Sequence, residues 1–298
     1  MVDIKSVLCP IEFSDLSRHA LAHAVVLARW YDARLTVFHA YPFPVAPPPV
    51  LYGGFPGMAP IGTLPRMTLS PLEVRDDTVA DVKRFCDPMG TQGLDIRFEA
   101  RPGSAVDSIL EEAASLNADL IVLGTHGRSG FGRWVIGSVA EHVLRKAPCA
   151  VLTVPPSVTA PPGDPLIMLK RILCPVDFSE ASLKALAYGL SIAEETDAEL
   201  VMLHVVEETP GYLRLTEEGA VAKLNAMVPQ DARTWCHPDV LLATGNPFQE
   251  ILRTASERDI HLIVMGVHRR NPVDLMVFGS TTYQVVRAAS CPVLTLKE

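Results

Sequence analysis

No two of the six cysteines in this 298-residue chain form a C-x-x-C pair. Zinc or thioredoxin-like chemistry therefore has no support in the sequence. Cys9, Cys149, Cys174 and Cys291 sit in or beside apolar runs. They read as small buried thiols in a reducing compartment. Long apolar runs are missing too: nothing approaches the ~18 residues of a membrane-spanning helix. The start, MVDIKSVLCP, has no basic segment followed by a long apolar one, so no signal peptide is expected and the cytoplasm is the expected compartment. Positive charge is scarce. Against 34 acidic residues stand 26 lysines and arginines, a net charge of −8. A dedicated nucleic-acid binder is excluded on that ground, because phosphate neutralisation needs clustered cations. A small anionic ligand needs only local positive potential and stays open.

What the chain does have is apolar content, 48 % of its residues, and an internal repeat. SVLCPIEFSDLSRHALAHAVVLA, from Ser6, matches RILCPVDFSEASLKALAYGLSIA, from Arg171. Cys9-Pro10 stands opposite Cys174-Pro175, and Phe13-Ser14 opposite Phe178-Ser179, at an offset of 165 residues. LTVFHAY from Leu35 and LVMLHVV from Leu200 keep that offset. From Gly103, opposite Gly245, to the closing APCAVLTV and ASCPVLTL the offset is 142, so the first copy carries 23 extra residues. They fall in the Pro- and Gly-rich stretch of about 42–71, which reads as a loop. PPSVTAPPGDP, from Pro155, reads as a linker. The expected organisation is a first domain over 1–155, a linker over 156–168 and a second domain over 169–298.

Short apolar runs alternate with helical patterns in each copy. In the first, strands are expected near Val7–Ile11, Arg34–Ala40, Asp95–Ala100, Leu120–Gly124 and Ala150–Val154, and helices near Asp15–Tyr31, Glu73–Met89, Ala105–Leu116 and Ser138–Lys146. ALAHAVVLARW carries apolar residues three and four apart, as a packed helix requires. Strand–helix alternation implies βαβ crossovers and a parallel sheet with both faces covered. The last strands would be apolar sheet edges, so the two domains are expected to pair with each other, and a further homodimer stays open.

The stretch GTHGRSGFGRWVIGS, Gly124–Ser138, lies between an apolar strand and a helix. In an open α/β sheet, ligands bind beyond the carboxyl ends of the strands. Glycines there let the backbone approach a ligand, and N–H groups at a helix start favour phosphate. The chain has neither the lysine of a P-loop here nor a G-x-G-x-x-G after the first strand. The spacing is Gly124, two residues, Gly127, nine residues, Gly137-Ser138. Arg128 and Arg133 either offset phosphate charge or are solvated loop residues.

That spacing, with the LCP-[VI]-[DE]-FS first strand, the LHV-like second strand and the closing PCAVLTV, strongly resembles the universal stress protein family. The resemblance covers both copies. It implies α/β architecture: two tandem Rossmann-like domains, each an open five-stranded parallel sheet of order 3-2-1-4-5 flanked by helices. It also implies ATP, with or without magnesium, or a related adenine nucleotide. By resemblance Glu12 and Ala40 would meet the base, and Gly124, Gly127, Arg128, Gly130, Gly137, Ser138 and Val139 the ribose and phosphates. The second copy offers Asp177, Val205, Gly266, Arg269, Gly279 and Ser280, with Arg269 where the first has Gly127 and with Pro272 removing a donor. It is expected to be a degenerate site. The leading function is a nucleotide-binding stress switch. The rivals are an interaction protein for a protein or apolar ligand, and a slow ATPase or autokinase. His19 and His23, four apart on a helix, read as helix-surface histidines rather than zinc ligands. The matched His39 and His204 read as structural. Asp15 and Asp107 read as helix caps rather than magnesium ligands.

Overall fold

Apolar runs become strands and periodic segments become helices in the computed structural model, which describes residues 3–42, 71–125, 136–158, 169–206, 217–230, 232–234, 238–267 and 279–297. The first copy runs β1 (Ser6–Pro10), α1 (Asp15–Trp30), β2 (Arg34–Tyr41), α2 (Pro71–Cys86), β3 (Ile96–Pro102), α3 (Ala105–Ser115), β4 (Leu120–Gly124), α4 (Ser138–Lys146) and β5 (Ala150–Val154). The second repeats it with β6 (Arg171–Pro175), α5 (Glu180–Thr196), β7 (Glu199–Val206), α6 (Glu217–Met227), β8 (Asp239–Thr244), α7 (Pro247–Glu257), β9 (Leu262–Val267), α8 (Ser280–Ala288) and β10 (Val293–Lys297). The expectation of one helix from Glu73 to Met89 needs correction. The α-helix starts at Pro71, where proline's missing N–H costs nothing. It stops at Cys86, because Pro88 disfavours helical backbone before it. A 3₁₀ turn over Asp87–Met89 and Gly90 at φ 64° then close the segment.

The ten strands form one sheet in the order β3-β2-β1-β4-β5-β10-β9-β6-β7-β8. Every adjacent pair is parallel except β5 and β10. Successive residues of β1 go to opposite faces: Val7 and Cys9 to one core, Leu8 to the other. The first core takes buried residues of α1, α2, α5 and α6, and the second takes those of α3, α4, α7 and α8. This covering of both faces is why LIVLG and RILCP carry no alternating polar positions. The repeat extends to unusual backbone. Phe13 and Phe178 (φ 62° and 66°) match, as do Asp32 and Asp197, and Asn117 and Asp259.

At the seam between the copies, Leu152 of β5 lies opposite Leu294 of β10, with Val151 opposite Thr295 and Thr153 opposite Val293. The Thr153 hydroxyl donates to Val293 O and the Thr295 hydroxyl to Val151 O, both at 3.2 Å. The Lys297 ammonium donates to Arg145 O and Ala147 O at 2.8 and 2.9 Å. It thereby satisfies carbonyls at the C-terminal end of α4, in the other copy.

Two packing constraints are sharp enough to test. The buried Glu99 carboxylate of β3 accepts from Arg97 at 2.7 Å and from Arg75 of α2 at 3.1 Å. Burial alone would raise this carboxyl, but the hydrogen bonds from Arg97 and Arg75 outweigh it and hold it below the usual glutamate range. On acidification the unfolded chain therefore binds the proton first. The contribution is complete above about pH 4.5 and is lost as pH falls through the folded value. We expect Glu99→Gln to lose about 1–3 kcal/mol at pH 7 and to show a shallower fall in stability below about pH 4.5 than the wild type. Urea unfolding across pH 3–7 checks this, and identical slopes would refute it. The second constraint is at Gly266 of β9, where an added Cβ would lie 2.4 Å from the backbone carbon of Ala181 in α5. Gly266→Ala should cost about 1–3 kcal/mol in thermal unfolding, because backbone cannot swing aside as a side chain can.

Candidate functional site

The turn from β1 into α1 sets one wall of the site. Ser14 caps α1, accepting from Ser17 N at 3.1 Å, while its own hydroxyl donates to the Glu12 carboxylate at 2.9 Å. The Ser17 hydroxyl in turn accepts from Glu12 N at 3.0 Å. Glu12 is thus tied to the helix start at both backbone and carboxylate. Asp15, expected as a cap, occupies the first helical position, and Ser14 does the capping. Its acidic side chain still suits the positive end of the helix.

Phe13 makes this turn possible at a cost. A bulky residue at φ 62° is a genuine outlier, worth on the order of 1–3 kcal/mol. The ring is held against His39, with centroids 4.5 Å apart, and meets Phe85 of α2 edge-on at 5.5 Å. His39 Nδ1 donates to Ile11 O at 2.8 Å, which fixes the other side of the turn. The second copy repeats the device: Phe178 lies 4.5 Å from His204, whose Nδ1 donates to Val176 O at 2.7 Å. The matched histidines therefore brace the acidic turn from the second strand.

The opposite wall comes from β4 and α4. Gly137 N donates to Thr125 O at 2.8 Å, and Thr125 N donates to Val154 O at 3.1 Å. The two ends of the glycine loop are thereby clamped together at the carboxyl end of the sheet. α4 begins with Gly137 at its N-cap position, and no side chain caps it. Its first N–H groups are thus presented where the loop opens, unlike those of α1, α5 and α7, whose caps are Ser14, Ser179 and Asn246.

Between these walls lies a cavity of about 320 Å³. Glu12, Ala40, Gly124, Gly137, Ser138 and Val139 all line it. Ser17, His39, Ala105 and Ile109 line it as well, and none of them was expected there as a ligand-facing residue. The signal for two of them was in the repeat, where Ser17 matches Ser182 and His39 matches His204. Gly127, Arg128 and Gly130, together with His126 and Arg133, lie outside the described residues.

The second copy holds a cavity of about 330 Å³ in the corresponding place. Asp177, Val205, Gly266, Gly279 and Ser280 line it, together with Thr281 and Thr282. Arg269 and Pro272 lie outside the described residues. Asp177 is exposed and turned back on its own turn, accepting from Ser179 N at 3.0 Å. Glu12 is half-buried. Gly266 has a packing reason to be glycine that is independent of any ligand.

Among the described residues, no three or more His, Cys, Asp or Glu side chains gather as metal ligands. Asp119 accepts from the backbone N–H groups of Lys5 and Ser6, at 2.8 and 3.0 Å, and so anchors the start of β1. The described cysteines are free thiols, and burial pushes Cys149 up to about 11 and Cys86 and Cys291 up to about 12. These thiols are unreactive near neutrality. No described helix is long and apolar enough to cross a membrane.

Comparison with known proteins agrees with this architecture. The model of the universal stress protein family matches residues 3–59, 63–155 and 168–297. A universal stress protein of Mycolicibacterium smegmatis is 26 % identical over 98 % of this chain and 96 % of its own length. One from Methanocaldococcus jannaschii is 33 % identical over half of this chain and 81 % of its own length. The crystal structure of a universal stress protein from Archaeoglobus fulgidus superposes with a TM-score of 0.66 at 21 % identity, covering 98 % of this chain and 97 % of that one. The chain belongs to the universal stress protein family, with the family's α/β fold present in both copies.

Proposed function

We propose that the cavity of the first copy binds ATP or a related adenine nucleotide and that the protein is a cytoplasmic stress-response switch read out through that binding. The observation that carries this reading is the meeting, across one cavity, of the anchored Glu12 with the uncapped start of α4 at Gly137 and Ser138. The donor set fits. Backbone N–H groups at a helix start and the Ser138 hydroxyl suit phosphate oxygens. The Glu12 carboxylate suits an exocyclic amine or a hydroxyl, and Ala40 at the end of β2 offers backbone to a base. Gly124, Gly127 and Gly130 leave room for the chain to approach the phosphates, and Arg128 supplies positive charge. The volume falls at the lower end of ordinary small-molecule sites.

In this reading the units are 1–155 and 169–298, joined by 156–168, and the second is degenerate. Its described walls enclose as much space as those of the first. The difference is assigned to the loop itself, where Arg269 replaces Gly127 and Pro272 removes a donor.

Two experiments follow. Nucleotide titration with calorimetry should give one site per chain in the wild type, and Gly127→Arg should weaken it by about a hundredfold or more, roughly 2.7 kcal/mol. Two equivalent sites, or unchanged affinity in the variant, would refute the assignment. His39→Leu removes both the bond to Ile11 O and the histidine partner of Phe13. It should lower stability by about 1–3 kcal/mol and weaken nucleotide binding about tenfold through loss of the Glu12 turn. Full affinity in folded His39→Leu would separate the bracing histidine from the site.

A further inference from the structure

A third cavity, of about 170 Å³, lies at the seam and shares no residue with the two strand-end cavities. It belongs to the core under α1 and α5, whereas Ile109, Leu123 and Val143 of the first strand-end cavity belong to the core on the other face of the sheet. Its walls come in pairs that the repeat relates: His23 with Tyr188, Leu27 with Ile192, and Leu152 with Leu294. Each copy supplies one member of each pair. The cavity therefore exists only where β5 meets β10, and neither copy could form it alone.

Helical spacing puts His23 on the helix surface, but the side chain is half-buried and lines this seam. Its Nδ1 donates to His19 O at 2.8 Å. In the neutral ring that leaves Nε2 as an acceptor. His261, on the opposite side, has a buried Nδ1 with no hydrogen-bond partner among the described residues. Tyr31 and Tyr188 complete the polar part of the lining. No aspartate, glutamate, lysine or arginine lines the cavity. Burial pushes both histidines down and both tyrosines up, so all four are neutral near pH 7. The charges nearby lie behind the lining, Glu195 bonded to Tyr31 and Arg171, Lys170 and Asp259 acting on His261, so a carboxylate or an ammonium in the cavity would be desolvated with no charged partner in the wall itself.

Size narrows the ligand further. An apolar cavity of about 150 Å³ accommodates a single benzene ring, and adenine nucleotides are far larger. The remaining wall is aliphatic, and the unpartnered ring nitrogen of His261 calls for one polar group on the ligand.

We propose that the seam cavity binds an uncharged, single-ring aromatic molecule, or a fused pair of rings no larger than indole, bearing one hydrogen-bonding group, with phenol and indole as its representatives. Such a ligand touches both copies at once and stabilises their pairing by mass action. The assignment is independent of nucleotide binding at the strand ends.

The test uses the full chain with phenol, indole and benzoate as probes. Phenol or indole should bind with a dissociation constant of about 1 mM or tighter, the scale expected for so few heavy atoms, and benzoate at least about tenfold more weakly. In methyl-labelled protein, nuclear Overhauser contacts from the probe ring should fall on Leu27, Ile192, Leu152 and Leu294. Val26→Phe, which fills the cavity from α1, should weaken the probes by about tenfold or more while adenine-nucleotide titration stays unchanged. If that variant does not fold, the contacts in the wild type decide the matter. The proposal is overturned if neither neutral probe binds at about 10 mM, if their contacts fall at the strand-end cavities, or if benzoate binds as tightly as phenol.

Discussion

The antiparallel ladder between β5 and β10 is the constraint on which the rest of the molecule depends. Each copy alone is a parallel sheet ending in an apolar strand, AVLTV in the first copy. Left as an edge, such a strand would expose unpaired backbone donors and acceptors beside an apolar surface. Pairing Leu152 with Leu294 removes both edges at once and merges the two copies into a single ten-stranded sheet. The two threonines that reach across to opposite-strand carbonyls, and Lys297 on the end of α4, reinforce one register over its neighbours. A slip by one residue would turn Leu152 and Thr153 to the wrong faces. Because this ladder alone is antiparallel, the carboxyl ends of β4 and β9 point in opposite directions. The two strand-end cavities therefore open at opposite ends of the sheet.

Within each copy a smaller constraint governs the site. An acidic residue must be held at the mouth of the sheet, immediately before a helix. The chain achieves this with a phenylalanine in left-handed backbone, which glycine or asparagine would occupy at lower cost. The strain is offset by a ring packed at a tilt against a histidine that is itself bonded to the turn. The same arrangement in the second copy, around Phe178 and His204, argues that the ring is needed more than the relaxed backbone. A glycine would relax the turn and lose the brace.

The fold was largely legible because its signals are local and repeated. Apolar runs bounded by Pro and Gly marked the strands, and three- and four-residue spacing marked the helices. Pro88 was also readable as a helix stop, one residue short of the Met89 end that was expected. The site was legible in part. Glycine spacing marked Gly124, Gly137 and Ser138, and each lines the first cavity together with Glu12 and Ala40. The role of Phe13 was not legible, because nothing in EFSD announces positive φ. The repeat marked Ser17 and His39, and His39 as structural, but not their place in the cavity wall, because their partners, Glu12 N and Ile11 O, are backbone atoms. His23 was misread because helical spacing gives a face but not what the face packs against.

The two strand-end cavities then pose a problem of discrimination rather than of space. Their volumes are nearly equal, so a difference in ligand binding must come from the groups that line them. At the start of α4 the sequence after Ser138 is Val139-Ala140, apolar, so the helix offers only backbone donors and one hydroxyl there. At the start of α8 the residues after Ser280 are Thr281 and Thr282, and the Thr282 hydroxyl donates to Gly266 O at 3.4 Å. One potential ligand-binding hydroxyl is thus spent on the chain itself. The acidic residues differ in exposure rather than in anchoring. Both carboxylates accept from the matched serine hydroxyl, Glu12 from Ser14 and Asp177 from Ser179, but Glu12 is half-buried and Asp177 exposed. A half-buried carboxylate gives up less water on meeting a ligand than an exposed one. The described walls of the two cavities thus differ in the exposure of the acidic residue and in the hydroxyls at the helix start, and not in the space they enclose.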